Sequence, residues 1–107
     1  MVQNLVEEIR ERAIKSFMDL FVLETLKSNE LSGYDFINLI HNRFDVLVSS
    51  GTVYSLLYSL ERKGFIEGRY VDRKRVYSLT DLGRQGIEKV EKANGAIRIV
   101  LKDLKVL

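Results

Sequence analysis

Between residues 3 and 28, apolar side chains recur at steps of three and four: Val6, Ile9, Ala13, Phe17, Leu20, Leu23 and Leu26. That period predicts helix over the whole stretch. Phe21 and Val22 widen the stripe between Phe17 and Leu26, as expected for a segment enclosed on several sides. The part before Lys15 carries more charge, so the stretch reads either as one helix or as two that meet near that residue. Residues 28–31 read as a turn and Ser32 as the N-cap of the next helix, about 33–43, which carries Tyr34, Phe36, Ile37 and Ile40 toward a core. Phe44, Val46 and Leu47 follow in a short connection that packs inward. Ser49 or Ser50 caps a third helix running to about Lys63, and Gly64 stands where a left-handed residue closes such a helix.

Beyond Gly64 the apolar period shortens to two. Residues 65–71 and 75–79 read as paired strands, with Asp72, Arg73 and Lys74 as a polar hairpin tip. Thr80 caps a last helix that continues toward the C-terminus, with a weak point at Asn94 and Gly95. The chain has no proline, so its breaks fall to glycine and to capping residues. Three helices, a hairpin and a helix make a mainly α fold with a small β-hairpin, in the order of a winged helix-turn-helix. Residues 1–83 form the winged-helix part with its N-terminal helix, and residues 84–107 a C-terminal helix within the same compact unit.

A length of 107 residues allows one modest core, and 46% hydrophobic with 30% charged residues marks a globular chain. No apolar run approaches the roughly 20 residues of a membrane span, and the mixed start is unlike a secretory signal. The absence of cysteine removes disulfides, thiolate nucleophiles and the usual zinc sites, which suits a cytoplasmic protein. His41 is the single histidine and reads as a surface residue, so no metal or cofactor is expected. No nucleophile–base pair, paired-carboxylate motif or glycine-rich phosphate loop points to an enzyme.

Net charge is only +2, but its distribution is uneven. Residues 1–61 hold five Lys/Arg against nine Asp/Glu, whereas residues 62–75 hold six against two. The positive field therefore gathers at the hairpin. On the third helix, Val53, Leu56, Leu57 and Leu60 fall within one arc of about 100° and face the core. The opposite side presents Gly51, Ser55, Tyr58, Ser59 and Arg62, with Ser49, Ser50 and Thr52 near the helix start. Small hydroxyl side chains let a helix approach base edges, and free N–H groups at its start suit a phosphate. Tyr54, at the flank of the core arc, reads equally as a core residue or a phosphate contact. Arg69, Arg73, Lys74 and Arg75 are the candidate backbone contacts of the wing, and Tyr34, although on the core side of its helix, is also a candidate DNA contact. Double-stranded DNA is the partner these features fit. A protein-interaction module, which calls for an apolar third helix and a neutral or acidic wing, and a DNA-binding protein without sequence preference are the rival readings.

Gly33-Tyr34, Ser50-Gly51-Thr52-Val53-Tyr54 with Leu57, Leu60-Glu61, Gly64-Phe65-Ile66, and Arg75-Val76-Tyr77-Ser78-Leu79-Thr80 with Gly83 together resemble the PadR-like transcriptional regulators. The resemblance spans about residues 33–86. It departs where Glu30-Leu31-Ser32 and Ser50 stand in place of prolines common in the family, both at turns or caps. The single C-terminal helix is similar to the short members. The resemblance implies a homodimeric repressor on a pseudo-palindromic operator, with dimer contacts from the terminal helices. Leu5 and Ile9 on the first helix and Ile87, Val90, Ile97, Val100, Leu101, Leu104 and Leu107 on the last supply apolar seams for this; folding back of the last helix onto the first is the alternative. A small-molecule effector has no residue pattern behind it beyond Phe17 and Phe21.

Overall fold

The computed structural model describes residues 2–44, 48–93 and 95. Among them the elements run α1 (Val2–Ser16), α2 (Met18–Leu26), β1 (Leu31–Ser32), α3 (Gly33–Phe44), α4 (Ser50–Arg62), β2 (Ile66–Val71), β3 (Lys74–Leu79) and α5 (Asp81–Lys92). The long N-terminal stripe resolves into two helices. Phe17, at φ −104° and ψ 6°, leaves the helical conformation between them, while Phe17 N–H to Ala13 O (3.3 Å) and Phe21 N–H to Phe17 O (3.1 Å) carry hydrogen bonds across the kink. The two halves meet different surroundings. Met18, Val22, Leu23 and Leu26 of α2 are buried, whereas Val2, Leu5, Val6 and Ile9 of α1 are 51–78% exposed.

The core gathers Val22 from α2, Phe36 and Ile40 from α3, Val53, Leu57 and Leu60 from α4, Ile66 from β2, Tyr77 from β3 and Ile87 from α5. Ile87 is only 1% exposed, so it belongs to the core of its own chain and not to the seam predicted for it. Its neighbour one turn on, Val90, packs at the edge of that core. Ile97, Val100, Leu101, Leu104 and Leu107 lie outside the described residues, as do Val46 and Leu47. Tyr34, expected to turn inward, is exposed at the start of α3.

The sheet has three strands in the order β1-β3-β2, all antiparallel, where the sequence pattern indicated a hairpin alone. Leu31 and Ser32 pair with Tyr77 and Val76, a strand too short to show any alternation. Ser32 then starts α3 through a reciprocal cap. Its Oγ accepts from the Asp35 N–H (3.1 Å), and the Asp35 carboxylate accepts from the Ser32 N–H (3.0 Å). The backbone hydrogen bond from Ser32 lowers the Asp35 pKa, and Lys74 adds a smaller effect in the same direction. A depressed folded-state pKa means this stabilisation is complete above the unfolded value of about 3.9 and fades as pH falls through the folded one. Asp35→Ala is therefore expected to lower stability at neutral pH, with its gap from the parent chain narrowing below about pH 4. Urea unfolding at both pH values reads this directly; an equal gap at pH 3 would contradict the cap.

The end of α4 and the start of α5 interlock. Gly64 adopts φ +83°, and the Gly64 and Phe65 N–H groups donate back to Glu61 O (2.9 Å) and Leu60 O (3.0 Å), the paired closure of a Schellman motif. The freed Gly64 carbonyl accepts from Thr80 Oγ1 at 2.6 Å. That same oxygen caps α5 by accepting from the Gly83 N–H at 3.0 Å, and the Thr80 N–H donates to Phe65 O at 3.1 Å. Gly83 has to be glycine here, because a Cβ on it would stand 2.0 Å from Phe65 O. Lys27 of α2 and Glu91 of α5 tie the opposite side with an ion pair.

Candidate nucleic-acid interface

Ser49 starts α4 as its N-cap, its Oγ accepting from the Thr52 N–H (3.1 Å) and sharing a hydrogen bond with Thr52 Oγ1 (2.8 Å). With the first turn capped this way, Ser50, Gly51, Ser55, Tyr58 and Arg62 face outward and are exposed, while Thr52 and Ser59 are half-buried. The Arg62 guanidinium lies over the Tyr58 ring, 5.7 Å from its centroid. This side of the helix is polar and uncharged until its last turn.

Tyr54 combines both roles left open for it. Its ring occupies the space above Gly33, where a Cβ would stand 2.3 Å from the ring edge, yet the residue remains 46% exposed. Gly33 at the head of α3 is thus the seat for the tyrosine of α4, which gives the two glycine–tyrosine pieces of the sequence one physical cause. The exposed Tyr34 ring follows directly in the chain.

The hairpin differs from expectation at its tip. Val71 pairs with Lys74, so the turn is only Asp72 and Arg73, and Lys74 already belongs to β3. Both turn residues have positive φ, +49° and +67°, as a type I′ turn requires. Aspartate tolerates that conformation; arginine adopts it at a cost of about 1 kcal/mol. Arg73 is exposed and makes no salt bridge among the described residues, and Lys74 likewise makes none.

The other two wing cations are engaged within the chain. Arg69 pairs with Glu30. Arg75 does not stand at the tip: its guanidinium bonds Glu61 Oε2 of α4 at 2.6 Å and packs between the rings of Tyr70 and Tyr77, at 5.3 and 5.8 Å. Burial raises the Tyr77 pKa, partly offset by Arg75, so the phenol stays neutral beside it. Tyr54, Tyr58, Glu61, Arg62, Arg75 and Tyr77 line an open groove of about 590 Å³ between α4 and the hairpin. In the sequence Glu61 stands within the Leu60-Glu61 piece of the family pattern and Gly68 within a strand, and neither shows its partner, because a long-range contact has no signal in local spacing.

On another side of the molecule, Ala13, Phe17, Met18, Phe21, Ile40 and Phe44 line an open apolar recess of about 240 Å³. Among the described residues no group of three or more His, Cys, Asp and Glu is arranged to hold a metal ion, and no helix is long and apolar enough to cross a membrane. His41 is exposed.

Residues 22–89 match the family model of the transcriptional regulator PadR-like family. No curated protein sequence matches the chain. Among solved structures, a PadR-like transcriptional regulator of Bacillus cereus superposes with a TM-score of 0.73 at 21% identity, covering 87% of this chain and 95% of that one. A PadR family transcription regulator of Clostridium difficile gives 0.72 at 21% identity, covering 82% and 97%. Bacillus subtilis PadR in complex with operator DNA gives 0.61 at 28% identity, covering 67% of this chain but 45% of that longer one.

Proposed function

The chain belongs to the PadR-like family of transcriptional regulators, and from that premise we propose that it is a sequence-specific double-stranded-DNA-binding repressor that works as a homodimer in the cytoplasm. The recognition helix is α4, entering the major groove with Ser50, Gly51, Thr52, Ser55, Tyr58 and Ser59, while Arg73 and Lys74 of the wing meet the flanking backbone. One observation carries the reading: a hydroxyl-rich outward helix face beside a hairpin tip whose two cations make no salt bridge among the described residues. The operator complex of the Bacillus subtilis relative supports duplex DNA as the partner. The interaction-module alternative calls for an apolar outer face on α4, and this face is polar.

Dimerisation draws on α1. Leu5 and Ile9 lie on a helix whose Val2, Leu5, Val6 and Ile9 are half or more exposed, a stripe left open among the described residues. Two recognition helices related by a twofold axis read half-sites about 34 Å apart, or a multiple of it.

Fluorescence anisotropy of a labelled random duplex, at about 50 and 200 mM salt, tests the first step. The expected result is binding that weakens steeply with salt, each phosphate contact contributing about 0.9 to the slope. A selected operator is then expected to bind at least about a thousandfold more tightly than the random duplex. Folded protein that ignores DNA at low salt would sink the reading, and equal affinity for all sequences would leave an architectural protein instead.

A further inference from the structure

We infer that Glu61 is a positioning residue for DNA binding: by clasping both strands of the hairpin it sets the angle of the wing on the recognition helix. The inference rests on the DNA-binding reading above and names the part of the site that sequence analysis left without a role.

A single carboxylate oxygen makes the clasp. Glu61 Oε2, on the last turn of α4, accepts from the Gly68 N–H of β2 at 3.2 Å and from the Arg75 guanidinium of β3 at 2.6 Å. Among the described residues β2 is an edge strand, so backbone donors on its outer side meet no strand there, and the Gly68 donor has Glu61 instead. Gly68 also makes room for the second bond. A Cβ there would stand 2.6 Å from Arg75 Nε and 2.9 Å from Cζ, so the guanidinium lies in the space a side chain would fill. With Tyr70 and Tyr77 on either side, Arg75 is packed in place and does not reach freely for a phosphate.

The position of the clasp matters as much as its strength. Ile66 anchors the base of β2 in the core, and Gly68 lies two residues further out. The tip at Asp72 and Arg73 is another four to five residues on, roughly 13 Å or more at the rise of a strand. A swing of about 10° at the clasp therefore moves the tip by more than about 2 Å, enough to separate Arg73 and Lys74 from a phosphate. Glu61 needs no contact with DNA to control those two contacts.

The sign of the effect separates positioning from charge. Removing a carboxylate beside a bound duplex, taken alone, tightens binding. The clasp makes the opposite demand: Glu61→Ala is expected to weaken binding although the protein becomes more positive. The test is a double-mutant cycle in duplex affinity and salt slope among the parent chain, E61A, R73A/K74A and the combination, with thermal unfolding of each. In the parent background the tip change is expected to cost about tenfold and to lower the slope by about 1.8. In the E61A background it is expected to cost less than about twofold, because the wing has already lost its place. E61Q keeps an oxygen for the Gly68 N–H and is expected to fall between. Equal losses from the tip change in both backgrounds, or tighter binding by E61A, would overturn the role of Glu61 while leaving the DNA reading intact. A parent chain without salt-dependent binding would instead bring down that reading, and this inference with it.

Discussion

Replacing Gly83 by alanine is expected to destabilise the domain by about 3 kcal/mol or more, lowering its Tm by roughly 15 °C. The new Cβ would stand 2.0 Å from Phe65 O and 2.8 Å from Leu79 Cδ1. The leucine can turn away; the carbonyl cannot, because it is backbone and accepts from the Thr80 N–H. Relief requires α5 to retreat from the hairpin base. That retreat strains the Thr80 cap, its bond to Gly64 O and the burial of Ile87, all of which depend on the same approach. Gly86, one turn further along α5, supplies the control. A Cβ there meets only the Phe65 ring at 3.8 Å, an ordinary contact, so Gly86→Ala is expected to stabilise by about 0.5–1 kcal/mol through the helix preference of alanine. Two glycines in one helix should thus give opposite signs in the same thermal or urea unfolding experiment. A Gly83→Ala chain as stable as the parent would show that the approach of α5 to Phe65 is not as close as described.

Reversing the charge of the wing tip should have the largest effect on binding. Arg73→Glu with Lys74→Glu is expected to weaken duplex affinity by roughly 100-fold or more, since like charges set against phosphates cost several kcal/mol and each tenfold is about 1.4. Its salt slope should fall by about 1.8, the contribution of two phosphate contacts. Stability should fall only modestly, through loss of the smaller attraction between Lys74 and Asp35. Glutamate is no worse than arginine at φ +67°, and neither side chain forms a salt bridge among the described residues. Arg75 is left out of this variant deliberately: reversing it would set a second carboxylate against Glu61 and confuse loss of fit with loss of contact. Anisotropy and thermal unfolding on the same samples decide the matter, and unchanged affinity in a folded double variant would remove the wing from the interface.

Much of this architecture is legible in the sequence because short-range rules govern it. Ser49 and Thr80 cap helices as their side chains allow, and Gly64 takes the positive φ that closes α4. The core arc of α4 emerged from its period alone, with Val53, Leu57 and Leu60 buried as a group. The departures from the pattern have physical causes of their own. β1 is two residues long and exists only through its pairing with β3. The turn is one residue shorter than the pattern indicates because neither Asp72 nor Arg73 is a glycine or asparagine that would mark the two-residue geometry. Ile87 fitted the period of an exposed seam as well as that of a core helix, and periodicity alone does not say which surface a stripe meets. Arg69 and Arg75 looked available because their partners, Glu30 and Glu61, are distant in the chain. The motif glycines Gly33 and Gly83 were visible as pattern, but their purposes as a seat for Tyr54 and a passage for Phe65 O, like the slot for Arg75 at Gly68, needed three dimensions.

The left-handed arginine at the tip of the wing sets two kinds of selection against each other. Random mutation followed by screening for heat resistance rewards glycine at position 73, which the turn accommodates without strain. Screening for DNA binding is expected to reward the cation. A lineage relieved of its DNA target is therefore free to drift toward the relaxed turn, and among descendants of this chain the residue at 73 becomes a marker of whether the wing is still in use.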